Sequence, residues 1–246
     1  VRHEVSSQQA KVKYLLPLRE VFTPLLTRRQ VHYPTMANAK PSKALQRRAE
    51  PVQARARETW HLIIETAAQL LDETGIDGFN TNLLAEQAGL RVRTVYRYFP
   101  NKYAVIAALT EQLAVQWNSW NEPFYAALAD RSVDWRPVLR RTIDNWMRKA
   151  NKVPGSVSVL QAINATPELR DLHQSIFEEM CARFSSALVA RGCRHSRAQL
   201  QAVAHAAVSA LNAGGDTFFQ LRGNEAQRYL EELYAMQEAY LARYLD

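Results

Sequence analysis

The sequence predicts an all-α fold, with a small three-helix unit near the front and a larger helical part behind it. Three observations carry this. From Val52 onward, apolar residues recur three and four positions apart, the period of one helix face. Ala, Leu, Gln, Glu and Arg, all good helix formers, fill long stretches of the chain. No alternating apolar and polar run bounded by hairpin turns appears, and a strand pair would need one.

Trp60, Ile63, Ile64, Ala67, Leu70 and Leu71 mark the apolar face of the first helix, and Gly75 is its expected stop. Asn80 is placed to cap a second helix through Leu84, Ala85 and Ala88 to Gly89. A short third helix covers about Val92 to Tyr98. Pro100 and Asn101 then precede a fourth, from Lys102 to about Ser119. Asp134 is the expected cap of a helix carrying Leu139, Ile143, Trp146 and Met147. Thr166 and Pro167, a cap followed by proline at the first helical position, open a long helix that Gly192 closes. Ser196 and Gln199 have capping-box spacing for the next helix. Asn212, Gly214 and Gly215 are expected to interrupt it, each glycine costing on the order of 1 kcal/mol relative to alanine. Close packing across a dimer and a kink beside a ligand are two readings of that break. Asn224 is the expected cap of the last helix, with a stripe through Leu230, Leu233, Tyr234, Tyr240, Leu241, Tyr244 and Leu245.

Charge divides the chain. Residues 1–35 carry six Lys/Arg against two Asp/Glu, residues 36–103 ten against seven, and residues 104–246 fifteen against fifteen. The whole excess of +7 therefore sits in the front, as expected of a polyanion-binding module joined to a domain of another kind. Three regions follow: a basic, flexible extension over 1–50, a DNA-binding unit over 51–103 and a helical ligand-binding and dimerisation domain over 104–246. Pro17, Pro24, Pro34 and Pro41 break any long helix in the extension. Met36 is an alternative start, and Lys40, Lys43, Arg47 and Arg48 could act as an arm on phosphates or in the minor groove.

Several classes are set aside. Cys181 and Cys193 form no CxxC or Cys/His cluster, so neither a zinc site nor a disulfide framework is indicated. Two lone thiols, and no apolar run of membrane-span length, point to the cytoplasm. No phosphate loop, nucleophile elbow or paired Glu-x-x-His motif nominates an enzyme, a cofactor or a metal.

The second helix, the Gly89-Leu90-Arg91 turn and the third helix form a helix-turn-helix. Ala85 and Ala88 are small where the two helices cross, and Leu84, Leu90 and Val95 close a miniature core. Arg91, Val92, Arg93, Thr94 and Tyr96 are left to face outward, on a helix that fits the major groove.

Residues 75–81 (Gly-Ile-Asp-Gly-Phe-Asn-Thr), 84–90 (Leu-Ala-Glu-Gln-Ala-Gly-Leu) and 94–102 (Thr-Val-Tyr-Arg-Tyr-Phe-Pro-Asn-Lys) together resemble the DNA-binding region of tetracycline-repressor (TetR) family regulators. The resemblance covers about Ala56 to Ala108 without a gap. It implies a three-helix DNA-binding domain, a larger helical ligand-binding domain, and a homodimer that leaves its palindromic operator when a small molecule binds. It also implies roles for individual residues. Thr81 is a phosphate contact and Asn82 reaches a base edge; Arg91, Val92, Arg93 and Tyr96 face bases; Thr94, Tyr98 and Lys102 contact the DNA backbone. Many members have serine where this chain has Arg91, a change that raises backbone affinity and unsettles specificity.

The partners expected are thus double-stranded operator DNA, a small apolar or amphipathic effector and a second copy of the chain, in the cytoplasm and on the nucleoid when DNA-bound. Trp117, Trp120, Trp146, Phe177, Phe184, Asn212 and Phe218 are candidate ligand contacts, with His173 and His205 as possible hydrogen-bonding groups. The last two helices, through Ala204, Ala207, Val208, Leu211, Tyr234 and Tyr240, are the expected dimer face. The alternative is a helical small-molecule-binding or interaction protein without operator-specific DNA binding.

Overall fold

Apolar stripes three and four apart leave each helix one face to bury, and the chain buries them by stacking helices on helices. The computed structural model describes Leu45 and residues 53–246. The expectations for the 1–50 extension, for Met36 and for the Lys40–Arg48 arm lie outside the described residues. Among those residues the order is α1 (Ala54–Gly78), α2 (Thr81–Gln87), α3 (Val92–Tyr98), α4 (Lys102–Ala129), α5 (Trp135–Ala150), α6 (Ser156–Ala165), a 3-10 turn (Pro167–Leu169), α7 (Arg170–Ala190), α8 (Arg197–Gln220) and α9 (Gly223–Leu245). The fold is all-α, as the periodicity predicts. No described helix is long and apolar enough to cross a membrane.

Two apolar cores form. The first joins α1, α2 and α3 to the front half of α4 and to α6, around Ile63, Leu70, Leu84, Val95, Phe99 and Ile106. The second joins the end of α4 to α5, α7, α8 and α9, around Leu128, Trp135, Phe184, Leu188, Val203 and Leu241. α4 belongs to both: Trp120 is its last contribution to the first and Phe124 its first to the second. Pro123 stands between them.

That proline accounts for the largest difference from the sequence expectation. α4 does not end near Ser119 but runs to Ala129. Proline inside a helix costs roughly 3 kcal/mol through a lost hydrogen bond and a clash with the preceding turn. The exposed ring of Pro123 is carried because the turns on both sides are anchored in separate cores. Beyond it, the buried guanidinium of Arg191 donates to the Asp130 carbonyl at 2.8 Å, serving the helix end.

Other boundaries also shift. Thr166 precedes only the 3-10 turn and makes no side-chain cap, so α7 starts at Arg170. α6 has no counterpart among the expected elements. Asn224 lies inside α9, which opens at Gly223 after Arg222. Asn212, Gly214 and Gly215 do not interrupt α8, which is continuous to Gln220. A Cβ on Gly214 would lie 2.8 Å from a methyl of Leu233, so this glycine lets α9 of the same chain approach closely. The expected caps Asn80, Asp134 and Ser196 all accept backbone N–H bonds at their helix starts.

The expected dimer face is corrected as well. Ala204, Ala207, Val208 and Tyr234 are buried within the protomer's own second core, because α8 and α9 pack on each other and on α5 and α7 through that stripe. The exposed face of the pair carries Ala202, Ala206, Ser209, Ala213, Ala235 and Met236.

Candidate nucleic-acid interface

The reading unit is built by local rules. Asn80 adopts an extended backbone, and its side-chain oxygen accepts the N–H groups of Asn82 (3.1 Å) and Leu83 (2.9 Å), starting α2. Gly89, at φ 64°, ends that helix in the left-handed conformation, and the Leu90 N–H returns to the Ala85 carbonyl at 2.8 Å. Only a short link then remains before α3, so the two helices cross closely. Val95, Tyr98 and the following Phe99 turn inward and anchor α3 in the first core.

The outward face follows from that anchoring. Arg91, Val92, Arg93, Tyr96 and Arg97 are exposed, Asn82 is exposed beside them on α2, and Thr94 is half-buried. Tyr96 is 38% exposed, and its hydroxyl accepts a hydrogen bond from the Thr81 hydroxyl at 3.0 Å. Thr81, only 7% exposed, thereby ties the two helices together. Tyr98 is 2% exposed, with its hydroxyl accepting from Arg97 at 2.7 Å and reaching the Ala56 carbonyl at 3.4 Å. The Lys102 ammonium donates to the Ile76 carbonyl at 3.0 Å. The nine expected DNA contacts therefore divide into an outward set (Asn82, Arg91, Val92, Arg93, Tyr96) and a set engaged within the protein (Thr81, Tyr98, Lys102), with Thr94 between.

Three exposed cations had no role assigned from sequence. Arg97 lies on α3 itself. Arg55 and Arg57 flank Ala56, which the Tyr98 contact brings beside the end of α3. The exposed charge at both positions was visible in the sequence, but the α1–α3 contact that places it was not.

Behind the reading unit lies a cavity of about 130 Å³, walled by α4, α5, α6, α7 and α8 where the two cores meet. Of the candidate ligand contacts, Trp117, Trp146, Phe177, Phe184 and Asn212 line it. Trp120 and Phe218 do not. Trp120 sits behind Trp146, edge to face at 6.2 Å, and Phe218 packs against Phe219, which takes the wall position. His173 is at the wall; His205 is not, and instead meets the ring of Phe177 and the Glu178 carboxylate. Phe124 and Tyr125 were missed because the helix bearing them was expected to end before they begin.

α6 connects this cavity to the reading unit. The Asp72 carboxylate, on α1, accepts the Gly155 N–H at 2.7 Å and the Ser158 hydroxyl at 2.6 Å, so α1 supplies the cap of α6. Gly155, at φ 75°, leaves no room for a Cβ, which would meet Ala68 of α1 at 2.9 Å. At the other side, the Trp117 indole N–H donates to the Ser156 hydroxyl at 3.0 Å.

Comparison with known proteins decides the family. Residues 63–109 match the family model described as bacterial regulatory proteins, tetR family, and residues 134–241 match the tetracyclin repressor-like C-terminal domain. The chain belongs to the TetR family. The two matches together span the reading unit and most of the helices around the cavity. A relative, the class D tetracycline repressor protein of Escherichia coli, is 31% identical over 94 residues, covering 36% of this chain and 43% of that protein. The chain thus spans less than half the length of that TetR-family relative. Solved TetR-family regulators from Streptomyces coelicolor (24% identity, TM-score 0.55, 76% of this chain and 99% of that one) and Mesorhizobium loti (21%, TM-score 0.58, 78% and 99%) share the fold. TetR proteins are DNA-binding transcriptional regulators and not enzymes. Among the described residues, no group of His, Cys, Asp or Glu side chains is placed to hold a metal ion.

Proposed function

We propose that this protein is a transcriptional repressor that binds a palindromic operator as a homodimer and leaves it when a small apolar or amphipathic molecule enters the α4–α8 cavity. The observation that carries the reading is the continuity of α4. The helix starts at the reading unit with Lys102 and walls the cavity with Trp117 and Phe124. A ligand that favours one packing of the two cores will bias the position of α3 by its differential affinity for that packing.

Arg91, Val92, Arg93, Tyr96 and Asn82 meet base edges in the major groove, Arg93 by a forked contact to guanine. Thr94 and Lys102 serve the phosphates, with Arg55, Arg57 and Arg97 added from their exposure. Thr81 and Tyr98 act mainly as braces for the reading helix, and any phosphate contact they make comes from the rim of each side chain. Functionally, residues 51–103 read DNA and residues 104–246 bind ligand and partner, at work in the cytoplasm on the nucleoid. The dimer forms through the exposed face of α8 and α9, where alanines at Ala202, Ala206 and Ala235 allow close approach around Met236, itself 49% exposed.

Footprinting on the DNA flanking the gene tests this. Protection of two half-sites related by a two-fold, lost on addition of a molecule that quenches the cavity tryptophans, is the expected result. Stable binding of the molecule with no effect on the footprint supports a ligand-binding protein without operator control instead.

A further inference from the structure

Polar groups reach the cavity from every wall, Asn118, Asn121 and Tyr125 on α4 and Thr142 on α5 among them, but its charge does not. The walls are aromatic and aliphatic, with Trp117, Trp146, Phe124, Phe177, Phe184 and Phe219 presenting ring surface. Asn164 on α6, His173 on α7 and Asn212 and Asp216 on α8 supply polar groups from three elements. The Asn164 amide reaches an Asp216 carboxylate oxygen at 3.5 Å, across the gap between α6 and α8. Asp216 is the one fixed charge among the lining residues, and they include no lysine or arginine.

We infer that the cavity takes an aromatic or aliphatic monocation, an amine or quaternary ammonium, with its apolar body among the rings and its charge on the Asp216 side. This rests on the reading of the cavity as the effector site and names the class of effector. An anion would meet a carboxylate with no lysine or arginine in the lining to offset it. A cation gains three contributions together: attraction to the carboxylate, the electron-rich faces of the rings, and the carbonyl oxygens of Asn164 and Asn212. Asn164, Asn212 and Asp216 are exposed, so a cation beside them keeps part of its hydration and is paired as well.

The surroundings of Asp216 agree. Burial pushes its carboxyl above the ordinary carboxylate range, an effect partly reversed by His173. Burial pushes His173 below its ordinary value, with Asp216 opposing. Burial thus disfavours the charged form of both groups, and each is the other's opposing partner. A bound cation adds an opposite charge beside Asp216, which favours its ionised form.

Three probes on one naphthylmethyl body test this, bearing a trimethylammonium head, its neutral tert-butyl isostere or a carboxylate. Each is titrated into the full chain by calorimetry and tryptophan quenching. The ammonium probe should bind about tenfold more tightly than the isostere, with the carboxylate weakest. In Asp216→Asn the ammonium and neutral probes should come within about twofold of each other, and Asp216→Glu should keep the preference. Asp216 is exposed, so both variants are expected to fold, and circular dichroism verifies it. Equal binding by the neutral or acidic probe, a preference that survives Asp216→Asn, or no saturable binding of any probe overturns the inference. Operator binding is measured alongside. A head-group preference without operator release breaks the repressor reading alone, whereas operator release by a neutral probe of equal affinity breaks this inference alone.

Discussion

The two stretches of α4 lie in differently finished surroundings. On the reading side, Phe79, Leu84, Val95 and Phe99 are essentially sealed from solvent, and several nearby polar groups are paired: Asn80 with two amides, Thr81 with Tyr96, Tyr98 with Arg97, Lys102 with Ile76. Past Trp117 the packing is incomplete, and aromatic rings from four helices, with aliphatic side chains from α6, surround empty space. A surface that must present five side chains in register to a rigid groove needs the first kind of packing. A site that must change shape with its occupant needs the second. In the proposed reading, that difference in filling separates the part that reads DNA from the part that takes the effector.

The largest expected effect tests that difference directly. Phe99→Ala should lower stability by about 3–5 kcal/mol, since the side chain is fully enclosed and its neighbours are tied by hydrogen bonds that resist collapse. Phe177→Ala, at a half-buried cavity wall, should cost only about 1 kcal/mol while changing ligand affinity. Chemical denaturation of both variants measures the gap; similar losses would mean that the two regions are equally well packed.

A smaller effect concerns the outward and braced sets of the reading face. Arg93→Ala should cost roughly 1–3 kcal/mol on the operator and relax sequence choice. Lys102→Ala should weaken binding to all sequences and reduce the salt dependence by about one counterion. Parallel binding assays on operator and random DNA separate them, and equal losses on both DNAs for both variants would overturn the base-reader assignment of Arg93.

The smallest concerns the link. Asp72→Ala removes the cap that α1 gives α6 and should cost about 0.5–2 kcal/mol, the usual range for a helix cap. Its sharper consequence is for communication: the ligand's effect on operator affinity should shrink while its affinity for free protein changes little. Linkage titrations with and without operator read this out.

The fold was legible where a single residue type decides a local conformation. Asn80, Asp134 and Ser196 cap because a short side-chain oxygen beside the first free amides has few better options. Gly89 turns because its φ is open to glycine at no steric cost. Legibility failed where distant packing overrules local preference. The run of α4 past Ser119 and through Pro123 to Ala129 depends on the two cores that hold the flanks of the proline. Gly214 reads as a weak point of α8 until Leu233 arrives against it. The starts at Arg170 and Gly223 depend on tertiary docking more than on a cap residue. The cavity was half legible for a related reason. An aromatic residue in a helix announces burial, but whether Phe218 or Phe219 faces the empty space is settled by a rotation of about 100°, which neighbouring helices fix. The apolar stripe of α8 and α9 was read as the dimer face, but the surface it meets belongs to the same chain.

The shared helix also governs how the molecule comes apart. Ala104, Val105, Ile106, Leu109 and Leu113 form a wall of the reading unit's core, so a cut after residue 103 removes that wall. A fragment ending there has about fifty described residues and an open apolar side, at a size where even a closed core is marginal. Heating should therefore melt the reading unit and the body in one transition, and limited proteolysis should release no stable fragment ending near residue 103. A cell that degrades this protein disposes of its DNA grip and its sensor together.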